Sequence, residues 1–308
     1  MAKSSETPTT VSAKNGFYRG RFAPSPTGPL HFGSLVAAVA SYADALHHNG
    51  EWLLRIDNVD EARAKSSAVD LILKTLEILG FEWSGKPTFQ TDRIKLYRSV
   101  INELLIKNRA FHCGCTRKEV DTAEQPALTS PIYPGTCRNG LPTGKKQRSV
   151  RLRVENKEIY FIDRIAGPIR QNVSDEVGDF IIQRADGFVA YQLAVVVDDY
   201  IENITHILRG ADLLSSTPRQ IYLQEQLGFP CPIYGHIPLV MDRFGKKLSK
   251  NDGAPYLSSG HPTSQLLTAW KFLGQPPPDG HAETVSDFWC HAGSTWNPSN
   301  IPVSVHPI

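Results

Sequence analysis

The sequence predicts an α/β fold of the doubly wound, Rossmann type, in which a parallel-sheet catalytic domain carries an inserted module. Three observations point there. Short strand-like runs alternate with helical stretches over the first hundred residues; a Pro- and Gly-rich loop joins the first strand to the first helix; and the alternation breaks off near Cys113 and resumes near residue 175. Alternation favours a parallel sheet because a parallel return needs a crossover connection, usually a helix.

Residues 1–15 are rich in Ser, Thr and Lys and poor in apolar side chains, so they read as a flexible tail outside the fold. The first part of the catalytic domain is expected over 16–112. It opens with a strand at Phe17–Phe22, a loop at Ala23–Pro29 and a small-residue helix at Ser34–His48. A second strand at Trp52–Ile56 and amphipathic helices near Ser67–Leu79 and Asp92–Asn108 follow. From 113 to 174 the texture shifts to Pro, Gly, Thr and Lys with short strand candidates such as Ser149–Val154, the mark of an insertion. The second catalytic part is expected over 175–257. There Asp186-Gly187 makes a hairpin turn between Asp179–Arg184 and Phe188–Ala190, the apolar Leu193–Val197 leads to Ile207–Arg209, and a helix covers Thr217–Leu227. The segment 258–308 is short, and beyond about Asp279 it mixes Trp, Pro, Ser and His without periodicity, which suits either a loosely packed tail or a small cap.

Composition excludes several function classes. No run approaches the roughly 18 apolar residues of a membrane helix, and the N-terminus lacks the order of a secretory signal, so a cytoplasmic, membrane-free protein is expected. The 33 basic and 31 acidic residues leave a net charge of +2, too even to imply nucleic-acid binding by itself. One local cluster, Lys145, Lys146, Arg148, Arg151 and Arg153, is either a solvated face or a phosphate contact. Five cysteines without an export signal argue against a disulfide framework.

Spacing carries more than count. Cys113, Cys115 and Cys137 lie in the insertion and supply three thiolates, one short of a tetrahedral zinc site; His112 precedes the pair too closely to be an easy fourth ligand. Arg21–Ser34 (RFAPSPTGPLHFGS) leaves a strand and enters a helix, so the helix amides can face an anion, with Gly28 and Gly33 allowing close backbone approach and His31 at the helix mouth. Lys247-Leu248-Ser249-Lys250, after Gly245-Lys246, puts two lysines on one loop.

The Arg21–Ser34 string resembles the signature of the glutamate branch of the class I aminoacyl-tRNA synthetases, with His-Phe-Gly-Ser standing where that class has its His-Ile-Gly-His-type motif. Lys247–Lys250 resembles the Lys-Met-Ser-Lys-Ser loop of the same class. The resemblance covers about Tyr18 to Leu257. It implies adenylation of glutamate by ATP with Mg²⁺, with ATP held by Gly28, His31, Gly33, Lys247 and Lys250, and with His31 and Lys250 catalytic. Lys250 would stabilise charge as pyrophosphate leaves. Glutamate needs a guanidinium fork, for which Arg21 and Arg209 are candidates. By resemblance, Arg21, Ser25, Tyr191 and Arg209 are the glutamate contacts. The family's Arg-x-Glu-Asp becomes Arg55-Ile56-Asp57-Asn58, so Asp57 would meet the substrate ammonium with a shorter reach, directly or through water, unless Asp60 takes over.

The Cys-x-Cys and Tyr-x-x-x-Cys pattern resembles the small glutamyl-queuosine tRNA(Asp) synthetases, which makes Tyr133 the fourth ligand of one structural zinc ion in an acceptor-type module. With only 251–308 beyond Lys250, a missing anticodon-binding domain is expected too. The implied substrates are L-glutamate, ATP and queuosine-containing tRNA(Asp), for a monomer. A truncated glutamyl-tRNA synthetase charging a tRNA 3′ end shares every motif, and a non-catalytic RNA-binding protein is a rival of another class.

Overall fold

The computed structural model describes residues 17–121, 132–241, 260–278 and 282–303. β1 (Arg19–Phe22) leads through a loop into α1 (Phe32–His47), and β2 (Glu51–Ile56) returns parallel to β1 with Arg21 opposite Leu53. After α2 (Ser66–Ile78), β3 (Thr88–Phe89) pairs in parallel with the end of β2, and α3 (Ile94–Ile106) follows.

The regular alternation then gives way to antiparallel pairing. β4 (Ala110–Cys113) and the short α4 (Arg117–Asp121) precede β5 (Ser149–Leu152), which pairs antiparallel with β4 so that Cys113 faces Ser149. β6 (Glu158–Asp163) and β7 (Gly167–Asn172) form a hairpin that closes on Asp163 opposite Gly167, and α5 (Val173–Glu176) is capped by the Asn172 side chain. β8 (Ile181–Gln183) pairs antiparallel with β5. It turns through Asp186-Gly187, where Gly187 takes a left-handed φ of 87° that favours glycine.

The apolar run that follows is helical, α6 (Tyr191–Ile201), despite its three consecutive valines. Burial of Leu193 to Val197 in the core outweighs their modest helix propensity. β9 (His206–Gly210) comes next and lies beside β1, tied by the Thr205 N–H to Arg19 O bond of 2.9 Å. α7 (Thr217–Leu227) crosses to β10 (Ile233–Ile237), parallel to β9. The spatial order of the parallel strands is therefore β3, β2, β1, β9, β10.

Alternation along the strands splits the core. Leu208 and Leu54 join α1, α2, α8 (Pro262–Phe272) and α9 (Val285–Thr295) on one face; Ile207 and Leu53 join α3, α6 and α7 on the other. Helices on both faces are the doubly wound arrangement. α1 is buried on nearly every side, and its Ala and Ser residues let the sheet, α8 and α9 approach together. The terminal stretch is a cap rather than a loose tail. Thr284 and Asp287 form a capping box, Trp289 donates to Leu79 O at 2.8 Å, and Trp296 donates to Asp44 Oδ1 at 2.8 Å. No described helix is long and apolar enough to cross a membrane.

Candidate active site

β1 and β9 are neighbours whose following helices lie on opposite faces of the sheet, so a crevice opens beyond their C-terminal ends. A cavity of about 380 Å³ occupies it. Each strand supplies its last residues: Arg21 from β1, Asp57 just past β2, Arg209 near the end of β9, and Ile237 from β10. Ser25, His31, Gly33 and Tyr191 line the same space.

His31 is the N-cap of α1. The Ser34 N–H donates to its Nδ1 at 3.3 Å, which places the proton of the neutral ring on Nε2. A Cβ at Gly33 would sit 3.1 Å from the His31 ring, so a side chain there would crowd the cap. The helix mouth with its imidazole donor is suited to phosphate oxygens.

A dense ionic network underlies the cavity. Arg55 is 0% exposed and donates from Nε to Asp57 Oδ1 and from Nη1 to Asp199 Oδ1 and Glu202 Oε2, each at 2.8 Å. Asp199 Oδ1 also accepts from Arg21 Nε at 3.2 Å, so one carboxylate aligns two guanidinium groups. Asp198 accepts from Tyr97, Gln90 and Arg93. Burial pushes the Asp57 carboxyl up, and the Arg55 charge offsets this only in part, leaving it at about 6. Burial alone would likewise raise Asp199, but Arg21 and Arg55 together hold it below the ordinary carboxylate value.

Arg209 is held differently. Its Nε donates to His236 Nε2 at 3.0 Å, and its Nη2 donates to Thr217 Oγ1 at 2.8 Å and Gln220 Oε1 at 2.7 Å. Its Nη1 is buried and has no hydrogen-bond partner among the described residues. Arg209 lines the cavity without a carboxylate partner of its own among the described residues, which leaves its charge for an anionic ligand.

The three cysteines converge in a separate place, between β4 and the loop before β5. Their Sγ atoms lie within 4.8 Å of one another, with Cys115 and Cys137 3.7 Å apart. Tyr133 Oη joins them at 3.4 Å from Cys113 and 3.6 Å from Cys115, and accepts the Cys137 N–H at 2.7 Å. Burial raises the Cys113 thiol, but the Tyr133 hydroxyl and Arg151 outweigh it and bring the thiol to about 7. Four such donors can hold a metal ion.

The family described as tRNA synthetases class I (E and Q), catalytic domain, matches residues 18–277. The chain belongs to this family. It is 48% identical over 291 residues to the glutamyl-Q tRNA(Asp) synthetase of Dechloromonas aromatica, covering 94% of this chain and 97% of that protein. The glutamyl-Q tRNA(Asp) synthetase of Geobacter sulfurreducens is 47% identical over 299 residues, covering 94% and 95%. Among solved structures, the glutamate-tRNA synthetase of Elizabethkingia anophelis shares the fold, with a TM-score of 0.77 at 23% identity over 92% of this chain; the chain spans 66% of that enzyme's length.

In this class I synthetase the cavity gathers Arg21, Ser25, His31, Gly33, Asp57, Tyr191 and Arg209. Gly28 is not among its lining residues, and Lys247 and Lys250 lie outside the described residues. Asp60 points elsewhere, accepting from Arg63 at 2.8 Å and Arg184 at 2.7 Å. Sequence reading missed Arg55, Asp198, Asp199 and Glu202 as a network. The available signal was a pair of acids, Asp198-Asp199, ending an apolar run. It also missed Asp163, His236, Thr217 and Gln220 around Arg209; the one hint was a histidine inside the otherwise apolar β10.

Proposed function

We propose that this synthetase activates L-glutamate with ATP and transfers it to the queuosine base at the wobble position of tRNA(Asp). One observation carries the amino-acid choice: Arg21 from β1 and Arg209 from β9 line one cavity together with Asp57. Two arginines beside Asp57, in a cavity whose lining also includes Asp212, suit a ligand with an anionic side chain and an ammonium group. The relatives named glutamyl-Q tRNA(Asp) synthetase, at 46 to 48% identity over nearly their whole length, support the acceptor.

Arg21 and Arg209 take the side-chain carboxylate, Asp57 takes the ammonium, and Ser25 and Tyr191 close the pocket around them. Held there, the α-carboxylate attacks the ATP α-phosphorus in line, giving glutamyl-adenylate and pyrophosphate. His31 Nε2–H and the α1 amides meet the triphosphate, Gly28 and Gly33 allow its approach, and Lys247 and Lys250 neutralise the departing charge. Mg²⁺ accompanies ATP as part of that substrate. A queuosine hydroxyl then attacks the acyl carbon and releases AMP, and no enzyme nucleophile is needed.

Cys113, Cys115, Cys137 and Tyr133 would hold one structural zinc ion. For zinc–sulfur bonds of about 2.3 Å, tetrahedral geometry puts sulfurs about 3.7 Å apart and sulfur to oxygen about 3.5 Å. The Cys115–Cys137 separation of 3.7 Å and the Tyr133 distances of 3.4 and 3.6 Å fit those edges, and the three Sγ atoms as a set, within 4.8 Å of one another, would draw in slightly around an ion. When bound, the ion would cross-link β4 to the loop before β5, a module too thin to build a large core.

The test is glutamate-dependent ATP–pyrophosphate exchange, followed by labelled-glutamate transfer to tRNA(Asp) with and without queuosine. Queuosine-dependent labelling is expected. Labelling of the 3′ end of tRNA(Glu) would move the protein to ordinary charging, and no exchange under any condition would make it a binding protein.

A further inference from the structure

Arg21 and Arg209 line the same cavity but have opposite surroundings. Arg21 is ion-paired to Asp199, whereas among the described residues every hydrogen bond that Arg209 donates ends on a neutral acceptor: the His236 ring, the Thr217 hydroxyl and the Gln220 carbonyl. That shell aims the guanidinium without cancelling its charge. An acid in direct contact would aim it as well, yet would compete with the substrate carboxylate.

The shell depends on which nitrogen of His236 carries the proton. Arg209 Nε is a donor in every state, so His236 Nε2 must accept, and the proton must sit on Nδ1. Asp163 enforces this. Its Oδ2 lies 2.6 Å from His236 Nδ1, and its Oδ1 accepts the N–H groups of His236, Ile165 and Ala166 at 3.0, 3.0 and 2.9 Å. A carboxylate whose other oxygen is committed to three amides can only accept from the ring. Asp163 ends β6, so the antiparallel hairpin, not the parallel sheet, supplies this anchor. Gln220 is braced in turn by Gln192 Oε1 at 2.8 Å, beside Tyr191 at the start of α6.

We infer that Asp163 and His236 are positioning residues that fix the tautomer beside Arg209, keep its guanidinium aimed and uncompensated, and thereby set the choice of glutamate over glutamine. The inference rests on the glutamate reading of the cavity. Neither residue lines the cavity; both act through Arg209. A misaligned or internally neutralised fork loses its preference for a carboxylate over an amide of the same shape.

Asp163→Asn is the sharpest test, because it keeps the shape and the three amide contacts while offering Nδ2–H to His236 Nδ1. The ring proton then moves to Nε2 and confronts the Arg209 donor. The KM for glutamate should rise roughly tenfold or more, the preference for glutamate over glutamine should fall by a similar factor, and the KM for ATP should stay put. His236→Gln, which retains an acceptor on the Arg209 side, should recover part of what His236→Leu loses. Nitrogen-15 NMR of the wild type should show His236 protonated at Nδ1, and Asp163→Asn should shift the proton to Nε2. If folded Asp163→Asn and His236→Gln variants keep both the glutamate KM and the glutamine discrimination of the wild type, the inference is overturned although the glutamate reading stands. If the wild type shows neither glutamate-dependent exchange nor glutamate binding by calorimetry, the reading falls and takes the inference with it.

Discussion

The floor of the cavity and its β9 wall solve the burial of an arginine in opposite ways. At the floor, Arg55 is 0% exposed and sits among Asp57, Asp198, Asp199 and Glu202, an internally closed set of charges. At the wall, Arg209 is 5% exposed and meets neutral acceptors; each of the two arginines keeps one buried nitrogen unmatched among the described residues, Nη2 of Arg55 and Nη1 of Arg209, so what separates them is the charge of their partners. A charge satisfied by the protein holds the fold and its neighbours in place. A charge left to neutral partners waits for a ligand. The two sites should therefore fail differently when broken.

Arg209→Gln should be the most damaging to activity. Glutamate-dependent ATP–pyrophosphate exchange should drop roughly a thousandfold in kcat/KM, because a buried carboxylate loses its bidentate partner, while the unfolding midpoint should change little. Arg55→Met should invert that pattern. Removing the central cation strands Asp57 and leaves Asp198, Asp199 and Glu202 to Arg21 and Arg93 alone, at a cost of about 3–5 kcal/mol that urea denaturation would read, with activity lost mainly through instability. Asp57 sharpens the link between the two regions, since it belongs to the floor and lines the cavity. Asp57→Asn should raise the glutamate KM by roughly ten- to a hundredfold, with a smaller change in ATP KM, as a charge-assisted contact to the ammonium is lost.

Asp57 also sets a pH dependence with two signs. Its pKa is raised by burial to about 6, so its carboxylate is protonated as pH falls through 6, and the glutamate KM should rise there. For stability the sign reverses. The folded pKa lies above the ordinary aspartate value, so the contribution of Asp57 to stability is present below that value and is lost as pH rises through 6. Exchange kinetics and unfolding midpoints measured from pH 5 to 8 should diverge accordingly. The smallest effect should come from the cysteine cluster, whose residues do not line the cavity. Chelation or Cys137→Ser should lower the melting midpoint by roughly 2–4 °C per kcal/mol of lost cross-link while leaving tRNA-independent exchange largely intact.

Much of the architecture is legible in the sequence because it is local. The strand–loop–helix of β1 and α1, the strand β2 and the helix α7 follow from short-range periodicity, Pro and Gly punctuation and capping, and each falls within a few residues of its expected place. The candidate site is legible where it coincides with short motifs: Arg21, Ser25, His31 and Gly33 in one string, Arg55 to Asn58 in another. The cap α9 is not, since its Phe288, Trp289 and Ala292 become a coherent face only against α1 and Leu79. Nor is the Arg209 shell, whose members come from β6, β10 and α7 and share no motif.

By itself the sequence determined that a parallel α/β sheet would present an anion-binding helix mouth, that arginines would be available to a carboxylate, and that three thiols would fall in one module, while Asp57 and Tyr133 were singled out by the family resemblance. These depend on residue type and spacing along a short stretch, where backbone propensity and side-chain chemistry act directly. Only the tertiary structure decided which charges cancel within the protein and which stay open: that Asp199 serves both Arg21 and Arg55, that Asp60 turns to Arg63 and Arg184, and that Asp163 reaches Arg209 through His236. Those pairings join residues far apart in the chain, and in a low-dielectric interior a shift of an ångström or two in packing determines which partner a buried charge finds.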